Sequence, residues 1–75
     1  MKWTKRNEYG AGYLGQGYQS GKFIIEETYN SYQLQKAFGG RRSDYYWVLK
    51  NQEEHSIIKY GRTAKELKEY AERNF

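Results

Sequence analysis

The chain has 75 residues and no cysteine, and its 13 lysines and arginines exceed its nine aspartates and glutamates, giving a formal charge of +4. A chain of this length holds one compact core, the lack of cysteine excludes disulfides and thiolate metal sites, and no apolar run approaches the ~20 residues that span a bilayer. We therefore expect one soluble, cytoplasmic domain without a membrane partner, and its positive charge favours a polyanionic ligand.

The first part of the chain, residues 1–21, combines a basic segment with a stretch rich in glycine and tyrosine. Residues 1–8 alternate Trp3 with polar neighbours, which is typical of an edge strand or an ordered arm. Residues 9–21 include five glycines. Because glycine at this density disfavours regular structure, we predict a loop or an irregular hairpin.

The middle of the chain, residues 22–60, alternates apolar and polar side chains in short runs, which predicts a β-meander. The predicted strands are residues 23–29, 32–38, 45–50 and 55–60, with a short helical turn as the alternative for the second. Glycine pairs and Ser-Asp predict an exposed turn at 39–44. The last two strands should form an antiparallel hairpin, with Ile58 and Tyr60 facing the core.

The C-terminal part, residues 63–75, is predicted to be a helix. Thr63 is a good N-cap, and Glu66, three residues later, completes a capping box. The apolar residues recur at helical spacing and form one stripe: Ala64, Leu67, Tyr70, Ala71 and Phe75. The predicted fold is α+β, an antiparallel three- or four-stranded sheet packed on one C-terminal α-helix.

Two patterns that often indicate catalysis or cofactor binding have the wrong context here. Gly10, Gly12 and Gly15 match the dinucleotide fingerprint G-x-G-x-x-G, but no hydrophobic strand precedes them and no helix is predicted to follow. His55 is the sole histidine, which excludes a structural zinc site, and the carboxylates near it lie in predicted turns. We therefore expect a non-enzymatic protein with no cofactor and no metal.

The positive charge is concentrated in two places, the N-terminal arm and the turn at 39–44. The arm interleaves basic residues with Trp3, a pattern typical of nucleic-acid binding, and the turn places Arg41 and Arg42 at the tip of a predicted hairpin, where they can meet a phosphate backbone. The candidate binding residues are Lys2, Trp3, Lys5, Arg6, Arg41 and Arg42. The hypothesis is a small binding module whose ligand is nucleic acid.

The alternative hypothesis is a protein-interaction module, such as a phage-encoded effector of a host protein or a small homodimer joined through a sheet edge. Exposed tyrosines would then anchor the interface, because tyrosine is enriched at interface hot spots.

Three segments carry a resemblance to known proteins: GKFII at 21–25, WVL at 47–49 and TAKELKEYAE at 63–72. Their succession resembles small uncharacterised phage and prophage proteins in which a sheet meander ends in a helix opened by threonine. The layout is also similar to the sheet-plus-helix DNA-binding domains at the N-termini of some phage-type integrases, whose sheet face enters the major groove. The resemblance implies the fold and assigns no site residues.

Overall fold

The structure, a computed structural model, describes the backbone of residues 1–10 and 13–75 and the side chains of residues 1–5 and 17–75. The elements in chain order are β1 Thr4–Gly10, β2 Tyr13–Ser20, β3 Phe23–Glu27, α1 Ser31–Phe38, a 3₁₀ segment Arg42–Tyr45, β4 Trp47–Asn51, β5 Ser56–Gly61 and α2 Ala64–Asn74. The predicted α+β class is confirmed. Neither helix in the described part of the chain has the length and apolar composition that crossing a bilayer requires.

The sheet has five strands in the order β1-β2-β3-β4-β5, and each neighbouring pair is antiparallel. The prediction of three or four strands was wrong because two further strands join the sheet: β1, where an edge strand or an arm was predicted, and β2, which lies in the glycine-rich stretch. These two strands pair from Thr4 opposite Gln19 to Gly10 opposite Tyr13. Glycine is compatible with this arrangement because ladder hydrogen bonds join backbone N–H and C=O groups, which every glycine has.

The hydrophobic core lies between the sheet and α2. Phe23, Ile25 and Leu49 of β3 and β4 contact Leu67 and Ala71 of α2, and all five are buried. Half-buried apolar residues surround this cluster: Trp3, Tyr18, Trp47, Ile58, Ala64 and Tyr70. The predicted helical stripe is therefore confirmed as the packing face of α2, except that Phe75 is exposed at its end.

The start of α2 is fixed by hydrogen bonds from two side chains. The Thr63 hydroxyl accepts a hydrogen bond from the Glu66 N–H at 3.2 Å, as the predicted N-cap requires. The Glu66 carboxylate accepts from the Arg62 N–H at 3.3 Å, one residue before the position expected in a capping box. The two bonds satisfy backbone donors on both sides of Thr63.

The prediction of a strand at 32–38 was wrong, because α1 occupies Ser31–Phe38. Ser31 and Leu34 are the buried residues of this helix, and their three-residue separation places them on one side of it. Gly39 ends α1 with a φ of 83°, and its N–H donates to the Gln35 carbonyl at 2.8 Å. The alternative of a short helical turn was closer to the structure.

A β-bulge in the β4–β5 pair reverses the expected direction of Tyr60. The register slips between Leu49 and Lys50, leaving Ile58 without a partner in the ladder. Ile58 packs on the core, and the Lys59 ammonium lies 5.2 Å from the Tyr70 ring on α2, so consecutive residues face the same helix. Tyr60 therefore pairs with Val48 on the other face, and the predicted inward position of Tyr60 was wrong.

Gly61 marks the closest approach of β5 to α2. A Cβ added there would lie 3.0 Å from Cγ and Cδ2 of Leu67, whose side chain is fully buried. We expect Gly61→Ala to lower the free energy of unfolding by about 1–3 kcal/mol, because the buried leucine has no space into which to move. Urea unfolding of this variant measures the effect, with Ser56→Ala in the same strand as the control. Unchanged or increased stability of Gly61→Ala would contradict this close contact.

Candidate nucleic-acid interface

The basic N-terminal arm is partly incorporated into the sheet. Lys2 and Lys5 are exposed, and Lys5 lies in β1, whereas the Arg6 side chain is outside the described residues. Trp3 is half-buried and packs on the hydrophobic core. Its indole N–H is buried, and no acceptor within the described part of the chain reaches it. Trp3 is therefore a packing residue rather than an exposed platform for bases.

The structure does not bring the arm together with Arg41 and Arg42. β1 is one edge of the sheet, and the 3₁₀ segment that contains Arg42 contacts β5 at the other edge. Along the strands, Lys5 lies level with Leu49 in the middle of β4, because it pairs with Tyr18 and Tyr18 pairs with Ile25. The described part of the arm and the Arg41–Arg42 pair therefore form two separate patches on opposite sides of the sheet.

The second patch belongs to a unit that we call the basic corner, residues 31–46, formed by α1, the glycine turn and the 3₁₀ segment. The Arg42 Nε donates to the Ser31 hydroxyl at 3.1 Å. The Tyr45 hydroxyl donates to the Gly39 carbonyl at 2.7 Å, and the Gln35 side-chain amide donates to the Gly40 carbonyl at 3.2 Å. These bonds join α1 to the 3₁₀ segment and fix the course of the turn between them.

Asp44 connects the basic corner to the end of β5. Its carboxylate accepts from the Arg62 Nε at 2.9 Å and from the Arg41 backbone N–H at 3.1 Å. The Arg62 hydrogen bond, followed by the Arg41 backbone hydrogen bond, lowers the pKa of the Asp44 carboxyl below its ordinary value. Gly40 lies beside this carboxylate with a φ of 83°, a conformation that glycine adopts readily.

The outer surface of the basic corner presents both cations and aromatic rings. Lys36, Arg41 and Arg42 are exposed. The exposed rings, with their exposed fractions, are Tyr32 at 51%, Phe38 at 71% and Tyr46 at 46%. The Lys36 ammonium lies 4.6 Å from the centroid of the Tyr32 ring, so one cation and one ring already form a single surface element.

Sequence reasoning identified Arg41 and Arg42 in this corner but missed Tyr32, Lys36 and Phe38. These three residues were assigned to a strand, in which Tyr32 and Lys36 are too far apart to touch. In a helix, residues four apart are neighbours. The four-residue spacing between Tyr32 and Lys36 was therefore the available signal.

The sheet face opposite α2 has a different chemistry. Glu26 and Lys50 form an ion pair there at 2.5 Å, and exposed Ile57 lies beside them. Two shallow depressions share these three residues. Because the pair cancels its own charge, these residues add little attraction for phosphate.

The other patterns considered in the sequence provide no further site. Gly12 of the glycine fingerprint lies outside the described residues. His55 is exposed in the turn between β4 and β5. Among the described residues, no group of three histidine or carboxylate side chains is placed to hold a metal ion.

Comparison of the chain with protein-family models, with curated proteins and with solved structures finds no match. The function is therefore inferred from the contacts and charges of the chain itself.

Asp44 should stabilise the fold in a pH-dependent way. Its lowered pKa in the folded state means that the ionised carboxylate contributes stability above about pH 4, the ordinary pKa of an unfolded aspartate. This contribution is lost as the pH falls through the lowered pKa. We expect Asp44→Asn to reduce the midpoint of thermal unfolding at pH 7 and to weaken its fall at acid pH.

Thermal unfolding followed by circular dichroism between pH 7 and pH 2 tests this expectation. Glu53→Gln is the control, since it also removes one carboxylate but does so in the exposed turn after β4. Identical acid profiles for Asp44→Asn and the wild type would show that the Arg62 contact has no energetic effect.

Proposed function

We propose that the protein is a non-enzymatic nucleic-acid-binding module and that its principal contact surface is the basic corner. The observation that carries the proposal is the exposure of three cations and three aromatic rings on one hydrogen-bonded unit, in which Lys36 lies beside the Tyr32 ring. Cations supply attraction to phosphates, and rings supply stacking surfaces for bases.

The charge of the basic corner supports a polyanionic ligand. Residues 31–46 contain three cationic side chains, Lys36, Arg41 and Arg42, and one carboxylate, Asp44. Arg62, from outside the corner, pairs with that carboxylate. The corner therefore keeps an excess of positive charge, and its guanidinium groups are suited to two-point contact with phosphate.

The N-terminal arm would make a second, separate contact. Lys2 and Lys5 are exposed at the β1 edge, across the sheet from the basic corner. A ligand that reaches both patches has to extend around the molecule. A short ligand would use the corner alone.

The proposal is tested by the salt dependence of oligonucleotide binding. Each lost phosphate contact makes the negative slope of log K against log[salt] shallower by about 0.7–0.9. We expect the double variant Lys36→Ala, Arg41→Ala to make the slope shallower by up to about twice that amount and to weaken binding. Arg42 is left unchanged because its hydrogen bond to Ser31 supports the corner.

The matched control is Lys65→Ala, Arg73→Ala, which removes the same charge from the exposed side of α2. Equal loss in both variants would indicate attraction to net charge rather than a site. Failure of single-stranded and duplex DNA and RNA to bind at ~50 mM salt, where phosphate contacts are strong, would refute the proposal. A stoichiometric protein partner that survives nuclease treatment would then support the protein-interaction alternative.

A further inference from the structure

We infer that the ligand of the basic corner is a single-stranded nucleic acid and that one of its bases stacks on Phe38. The inference rests on the proposed function and specifies its substrate class. It is carried by the exposure and support of this ring and by the small number of cations around it.

Phe38 is the most exposed large apolar side chain among the described residues, at 71%. It is the last residue of α1, and Gly39 turns the chain away immediately after it. Unlike tyrosine, phenylalanine has no polar group that water can solvate, so exposure of this ring is unfavourable. A nucleobase covers such a ring with a flat surface of its own.

The ring that stands next to Phe38 is held in place. Tyr45 lies with its ring centroid 6.5 Å from that of Phe38, at an interplanar angle of 36°. The Tyr45 hydroxyl donates a hydrogen bond to the Gly39 carbonyl, and the Tyr45 ring makes an edge contact with the Tyr60 ring, with 5.6 Å between the centroids. Phe38 therefore stands beside an aromatic neighbour whose own position is fixed by two further contacts.

Tyr32 provides a second ring on the same helix. It is 51% exposed, and the Lys36 ammonium lies 4.6 Å from its centroid. A strand that stacks on such a ring places a phosphate within reach of the lysine. Ring and cation together match the alternation of base and phosphate along a single strand.

The number of cations argues against a duplex. The basic corner exposes three cations, Lys36, Arg41 and Arg42, which limits the number of duplex phosphates that it can contact. The exposed lysines of the arm, Lys2 and Lys5, lie at the other edge of the sheet and do not extend this surface. The stacking surfaces are usable only when the bases are not already stacked in a duplex.

The test compares three ligands of about 12 nucleotides, within the footprint of small single-strand binders. The ligands are oligothymidylate, an abasic strand of equal length and charge, and a duplex, each fluorescently labelled and titrated at ~50 mM salt. We expect oligothymidylate to bind at least about five-fold more tightly than either of the others, because only it offers unstacked bases.

Variants of Phe38 locate the stacked base. We expect Phe38→Ala to weaken oligothymidylate binding by about 5- to 150-fold, the effect of losing one stacked base. Phe38→Leu should weaken it similarly, since leucine keeps the apolar volume but removes the ring. Neither variant should change binding of the abasic strand. Phe75→Ala, which removes the 62% exposed ring at the end of α2, is the control.

Each outcome supports or overturns the inference. Equal affinity for all three ligands, or tighter binding of the duplex, would overturn it while leaving nucleic-acid binding in place. Full retention of oligothymidylate affinity in Phe38→Leu would also overturn it, because an apolar contact rather than stacking would then explain the site. Absence of binding to every ligand would refute the proposed function itself.

Discussion

Leu67 and Ala71 of α2 pack against Phe23, Ile25 and Leu49, and the arrangement of the other elements follows from this contact. A chain of 75 residues buries only about 60–65% of its unfolded surface, so one helix over one sheet face accounts for most of the available core. Because α2 covers that face with its apolar stripe, the other elements pack elsewhere: α1 on the 3₁₀ segment, and the 3₁₀ segment on β5. Cations and rings are free to face water there.

The parts of the fold that the sequence predicted are those in which local signals agree with tertiary packing. The Thr63 cap and the apolar stripe of α2 both proved correct, as did the β4–β5 hairpin. Residues 32–38 were misassigned because Leu34 and Phe38, four apart, fit a strand period of two and a helical period near four. Ser31 and Leu34, three residues apart, are both buried, which fits a helix and not a strand, and only the tertiary structure shows this burial.

The candidate site was predictable in part, for reasons of the same kind. Arg41 and Arg42 follow two glycines, and this local pattern was enough to place them in an exposed turn. The surroundings of that turn depend on contacts distant in sequence, such as the Arg62 contact with Asp44, which no local pattern reveals. The surroundings of Trp3 depend on such contacts too, because its basic neighbours suggest a binding ring and only the folded chain shows that it packs on the core.

The bulge at Ile58 has a consequence for self-association. β5 is an edge strand, and such a strand offers unpaired backbone donors and acceptors to any other extended chain. The bulge interrupts the regular spacing of those groups, and it turns Lys59 toward α2, so a straight incoming strand meets an irregular ladder beside a half-buried lysine. The bulge that reverses Tyr60 thus also makes this edge a poorer template for aggregation.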